Sequence, residues 1–105
     1  MILARVTGKV SRAPAEQLRP GGVTVASVGL TVNAGGEFLT ANGIGSGRVA
    51  AALLSLTCGQ IVELQGALTV RVGLDEDGHA RAILDVRVRE VSKPSANRAN
   101  EQALA

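Results

Sequence analysis

IVELQGALTVRVGLDEDGHARAILDVRVREV, residues 61–91, consists of two alternating runs joined by a short acidic turn. Val62, Leu64, Gly66, Leu68, Val70 and Val72 share one parity, and Ala82, Leu84, Val86 and Val88 share it after the turn. A strand sends successive side chains to opposite faces, so a period of two marks one apolar face and leaves the other free. That other parity holds Arg71, Arg81, Arg87 and Arg89. Between the runs, Asp77-Gly78 predicts a tight turn with positive φ at both residues, since Gly has no Cβ and Asp tolerates the left-handed region. The stretch is expected to form a long curved hairpin with one buried face and one arginine-bearing face.

Toward the N-terminus, Val49, Leu53 and Leu56 recur at helical spacing. Ser46 is placed to cap a helix starting at Gly47 or Arg48, and Gly59 is placed to end it. Residues 37–44 predict a third strand weakened by Gly43, and Asn33-Ala34-Gly35-Gly36 a short turn before it. Residues 23–32 predict a second strand with Ala26, Val28, Leu30 and Val32 on one face. Residues 11–22, broken by Pro14, Pro20, Gly21 and Gly22, predict a loop. Residues 2–10 alternate Ile2, Ala4, Val6 and Val10 against Arg5, Thr7 and Lys9, a half-buried first strand that Gly8 lets bend sharply. After Val91 no periodic apolar face remains, so residues 1–91 are expected to form the folded domain and 92–105 a disordered tail.

The order strand, strand, strand, helix, strand, strand is that of an all-β, five-stranded OB barrel with one short helix between strands 3 and 4. An open sheet with a helix packed on it is the competing architecture. Gly8, Gly66 and Gly73 favour tight curvature and hence the closed barrel. Branched aliphatics suit a narrow barrel interior, and Phe38 is the only aromatic residue. The 105 residues provide one small core.

The net charge is +2, and residues 1–91 hold nine Lys or Arg against eight Asp or Glu, so charge alone demands no nucleic acid; its arrangement must argue for one. Cys58 is the sole cysteine, which excludes an internal disulfide and suits a reducing cytoplasm. The charged Met1-Ile2-Leu3-Ala4-Arg5 start does not resemble a secretory signal, and no apolar run approaches the ~20 residues that span a bilayer. A cytoplasmic protein without a membrane partner is expected.

Several pieces, in order, resemble the bacterial single-stranded DNA-binding protein (SSB) family, which includes the PriB-type primosomal proteins. They are Gly8-Lys9-Val10 with Pro14 beyond, Pro20-Gly21-Gly22 followed by Val25-Ala26 and Leu30, Glu37-Phe38, the run from Cys58 to Leu68, and Asp77-Gly78 at the turn of the long hairpin. The resemblance spans roughly residues 2–91 and implies an OB barrel that binds single-stranded DNA, or RNA, in replication, recombination or repair. It also implies a homodimer or homotetramer built by pairing first strands across a two-fold axis. The chain departs from the family's pattern where Ile44 and Gly73 stand at or near positions commonly aromatic, where the loop between the second and third strands is only Asn33-Ala34-Gly35-Gly36, and where no acidic tip recruits partner proteins.

The candidate nucleic-acid-binding residues are Phe38, Arg5, Lys9, Arg71, Arg81, Arg87 and Arg89. Phe38 matches a base-stacking position of the family, although a lone Phe on a strand is otherwise a core residue. The cations can track phosphates, although scattered strand cations also serve to blunt aggregation, and Glu63, Asp85 and Glu90 lie among them as competing partners. Asp75, Glu76 and Asp77 lack the further oxygen ligands of a calcium loop, so a solvated turn is expected and no metal. His79 and Cys58 form no nucleophile–base arrangement, and Gly43-Ile44-Gly45-Ser46-Gly47 lacks the lysine of a phosphate loop. No enzyme, cofactor or small-molecule substrate is expected. The reading from another class is an OB barrel kept as a structural or protein-interaction module, favoured by the near-neutral body and the scarcity of aromatics.

Overall fold

The computed structural model describes residues 1–93; residues 94–105, and with them most of the expected tail, lie outside the described residues. Five strands close a barrel in the order β1-β2-β3-β5-β4. They are β1 (Ile2–Arg19), β2 (Val23–Ala34), β3 (Glu37–Ser46), β4 (Ile61–Leu74) and β5 (Ala80–Ser92), and the helix α1 (Arg48–Leu54) stands between β3 and β4. All pairings are antiparallel except β3 with β5. This is the expected OB architecture, and the open-sheet alternative is excluded by closure.

Closure depends on β1 changing partners. Residues from Ile2 to Lys9 ladder with β4, and from Lys9 onward the strand ladders with β2. The change happens at Lys9, beside Gly8, where a Cβ would stand 2.8 Å from the Thr31 carbonyl oxygen. Only glycine lets the two backbones come so close. Gly66 serves the same end on β4: it follows a register shift against β5, and a Cβ there would collide with the Arg87 carbonyl.

The interior is filled by the inward parity of every strand. Val6, Val10, Ala26, Val28, Leu30, Ala41, Val62, Leu64, Val86 and Val88 form one cluster with Ala50, Leu53 and Leu56, which α1 and the turn after it bring against the barrel. The tight β2–β3 turn matches expectation: Gly35 and Gly36 have φ of 66° and 96°, and the Asn33 side-chain oxygen accepts from the Gly36 N–H at 3.1 Å.

The predicted loop 11–22 is instead the second half of β1. Ala15 to Arg19 pair with Ser27 back to Val23, and the turn is confined to Pro20-Gly21-Gly22. Pro14 does not break the strand because it lies within a register shift, between Arg12 and Ala15, where no ladder donor is required. Ser46 is not a helix cap but the last residue of β3; the cap is Gly47, at φ 60°, and no side chain caps the helix. The helix stops at Leu54, well before Gly59; Gly59 turns the chain into β4 while its N–H bonds to the Val10 carbonyl at 2.8 Å.

At the β4–β5 turn only Gly78 has positive φ, not Asp77. The turn spans five residues rather than two, so Asp77 keeps a negative φ. Its N–H and that of His79 both donate to the Asp75 carboxylate, at 3.0 and 2.8 Å.

Candidate nucleic-acid interface

Alternation places Phe38, Thr40, Asn42 and Ile44 on the outer side of β3, because Ala41 and Gly43 between them face the core. On β5 the matching outer set is Arg81, Ile83, Asp85 and Arg87, with Val86 and Val88 inside. The parallel register sets Thr40 beside Ile83, Asn42 beside Asp85 and Ile44 beside Arg87. Arg71 pairs in register with Ile83 from β4, and Lys9 and Arg12 pair with Thr31 and Gly29 from β1. One continuous outer wall therefore collects Lys9, Phe38, Arg71, Arg81 and Arg87.

Phe38 is 69% exposed, so it is not a core residue and its ring is free to meet a ligand. The cations around it differ in their freedom. Arg71 is paired with Asp85 through its Nε, and Arg81 with Asp75 at 3.0 Å. Among the described residues no carboxylate pairs with Lys9, Arg12 or Arg87.

Arg5 and Arg89 stand apart from this set. With Leu3, Ala4, Gln65, Gly66 and Glu90 they line an open groove of about 360 Å³ on the β1–β4–β5 side. With its amide turned to satisfy both neighbours, Gln65 accepts from Arg5 Nε at 2.8 Å and donates to Glu90 at 3.3 Å. Arg89 reaches the Met1 sulfur at 3.7 Å. The alternation of β5 gives Arg87 and Arg89 the same parity, yet the register shift at Gly66 turns the wall between them. Glu63, considered as a surface partner for the cations, is buried.

Arg12 belongs to the wall and was not among the sequence candidates. Its side chain lies over Gly29, where an added Cβ would meet Arg12 Cβ at 2.8 Å. The usable signal was the Pro-Gly-Gly turn with strand-compatible residues on both sides, which marks a hairpin rather than a loop.

At the hairpin tip the carboxylate of Asp75 is held below its ordinary value by the N–H of His79 first, then by Arg81 and by the N–H of Asp77. Asp75, Asp77 and His79 bring ligand atoms within 4.8 Å of one another. The carboxylate of Asp75 is nonetheless engaged in organising the turn and holding Arg81. No helix of the described residues is long and apolar enough to cross a membrane.

No family model matches the chain, and no curated protein matches it in sequence. Solved structures match it in fold. The small single-stranded DNA-binding protein from Streptomyces coelicolor superposes with a TM-score of 0.68 at 21% identity, over 91% of this chain and 96% of that one. The SSB domain of a protein from Synechococcus sp. gives 0.68 at 19% identity, over 88% and 94%. A deletion mutant of the single-stranded DNA binding protein from Thermus aquaticus gives 0.71 at 19% identity, over 90% of this chain and 42% of that one. At these identities the likeness is one of fold, and the fold of this chain is the OB barrel of bacterial single-stranded DNA-binding proteins.

Proposed function

We propose that the chain binds single-stranded DNA along the outer wall of β1, β2, β3 and β5, without catalysis, as a protein of SSB or PriB type in replication, recombination or repair. The observation that carries this reading is Phe38: the only aromatic ring is out of the core, on the wall that gathers Lys9, Arg12 and Arg87. A base stacked on an aromatic ring contributes about 1–3 kcal/mol, and unpaired cations beside it supply phosphate neutralisation. The fold likeness to single-stranded DNA-binding proteins supports the same reading. Arg71 and Arg81 contribute only by exchanging a carboxylate for a phosphate. A cytoplasmic site of action accords with that substrate.

The same reading includes a homodimer or homotetramer. Residues 2–8 ladder with β4 on one edge only, since β2 takes over at Lys9, and Met1, Ile2 and Leu3 are exposed beside the free edge. An open edge of this kind is a template for another strand. Light scattering at tens of micromolar, on the order of protein concentrations where weak dimers persist, is expected to give at least twice the chain mass.

The test of binding is a fluorescence-anisotropy titration with oligo-dT and with an RNA oligomer of equal length at low salt. Saturable binding with DNA preferred is expected. No binding to either strand removes the proposal in favour of an interaction module, and tighter RNA binding reassigns the substrate.

A further inference from the structure

The centre of the wall holds an acid where a polyanion is proposed to lie. Asp85 is held on both sides: its Oδ1 accepts from Asn42 Nδ2 at 3.3 Å, and its Oδ2 from Arg71 Nε. A carboxylate has about four lone-pair sites, so each oxygen keeps room for a further donor. The side chain is 35% exposed, open enough for a ligand to reach it. A phosphate, which only accepts, has no use for that group. A base edge that donates does.

Resting on the single-strand reading above, we infer that Asp85 and Asn42 form a base-reading pair that favours bases presenting an exocyclic amino group, cytosine over thymine. Cytosine offers its N4 amino group as a donor, and thymine offers the O4 acceptor at the same place. The first satisfies the carboxylate and the second is repelled by it. The surroundings fit a base at this point. Ile83 and Ile44 occupy the neighbouring outer positions on either side of the pair, two aliphatic pads against which a ring can lie. Next to Asn42 in register is Gly29, with the Arg12 side chain lying over it. Arg87 follows Asp85 on β5 and Arg12 lies on the far side of Asn42, across β2, so the backbone can follow these two cations while a base turns inward to Asp85. The contact to Arg71 fixes the carboxylate before any strand arrives.

The test compares oligo-dC with oligo-dT, each about 16 nucleotides, the upper end of what one OB barrel covers, at neutral pH and equal salt. Wild-type protein is expected to bind dC about five- to tenfold more tightly, the lower end of what one good base contact supplies. Asp85→Asn should bring the ratio close to one and raise dT affinity, because the amide can donate to thymine O4. Asn42→Ala should lower the ratio while leaving the salt slope unchanged, since no charge is altered. Equal wild-type affinities overturn the inference. So does an Asp85→Asn variant that gains the same factor for both strands, which would make the acid a repulsive charge and nothing more. If Asp85→Asn does not fold, an unchanged ratio in Asn42→Ala overturns it. Equal binding of both strands removes only the base reading; failure of both strands to bind removes the single-strand reading beneath it.

Discussion

The β4–β5 hairpin carries one alternation pattern from end to end, yet its two halves differ. In the half inside the barrel, Val62, Leu64 and Val86 are fully buried. In the half near the turn, Val70, Val72 and Leu74 have the same parity but stand 56–75% exposed. The difference lies in what covers them. β1 accompanies β4 only as far as Leu68, and β3 accompanies β5 only from Ile83 onward. Beyond those points the hairpin runs out of the barrel with its apolar face uncovered. Alternation therefore fixes which way a side chain points, and closure fixes whether anything lies there.

The two halves should respond unequally to truncation. Leu64→Ala removes a fully buried side chain and is expected to destabilise folding by ~2–5 kcal/mol, measured by urea denaturation. A loss below about 1 kcal/mol, the scale of an ordinary point substitution, would mean the two halves are equivalent. Val72→Thr, on the projecting half, is expected to change monomer stability by no more than ~0.5 kcal/mol. A larger loss that depends on protein concentration would show that a second copy covers this face. The smallest effect is expected at the tip. Contacts hold the Asp75 carboxylate below its ordinary value of 3.8, so its stabilisation of the turn is present above that value and lost as pH falls through the lowered one. An acid titration followed by the amide resonances of Asp77 and His79 should show both moving together, with Leu64 unaffected in that range.

The same contrast explains what was legible in the sequence. Strand order, the single helix and the core parity could be read because buried strands must alternate and tight bends need glycine, as at Gly8. The Gly35-Gly36 turn could be read because two successive left-handed residues leave little choice. The reach of β1 to Arg19 could not, because Pro14 looks like a breaker until a register shift accommodates it. That error hid Arg12. Phe38 was undecided between core and surface, since a single ring on a strand fits either, and only its register against Asn33 and the outer row of β3 resolves it. The splitting of Arg5 and Arg89 from the remaining cations was equally invisible: parity groups Arg87 with Arg89, and the barrel's curvature at Gly66 separates them.

The most direct measurement of the central claim is the salt dependence of oligo-dT binding by wild type, Arg87→Ala and Phe38→Ala. Single-strand affinity should fall with salt at about −0.7 in log–log slope per phosphate neutralised. With one aromatic platform the salt-independent remainder should be small. Arg87→Ala should flatten the slope by somewhat under one unit, whatever the oligonucleotide sequence. Phe38→Ala should keep the slope, lose ~1–3 kcal/mol of binding, and leave folding stability close to wild type because the ring is exposed. Unchanged binding in both variants, or a stability loss in Phe38→Ala of the ~3–5 kcal/mol expected for a core ring, would contradict the account.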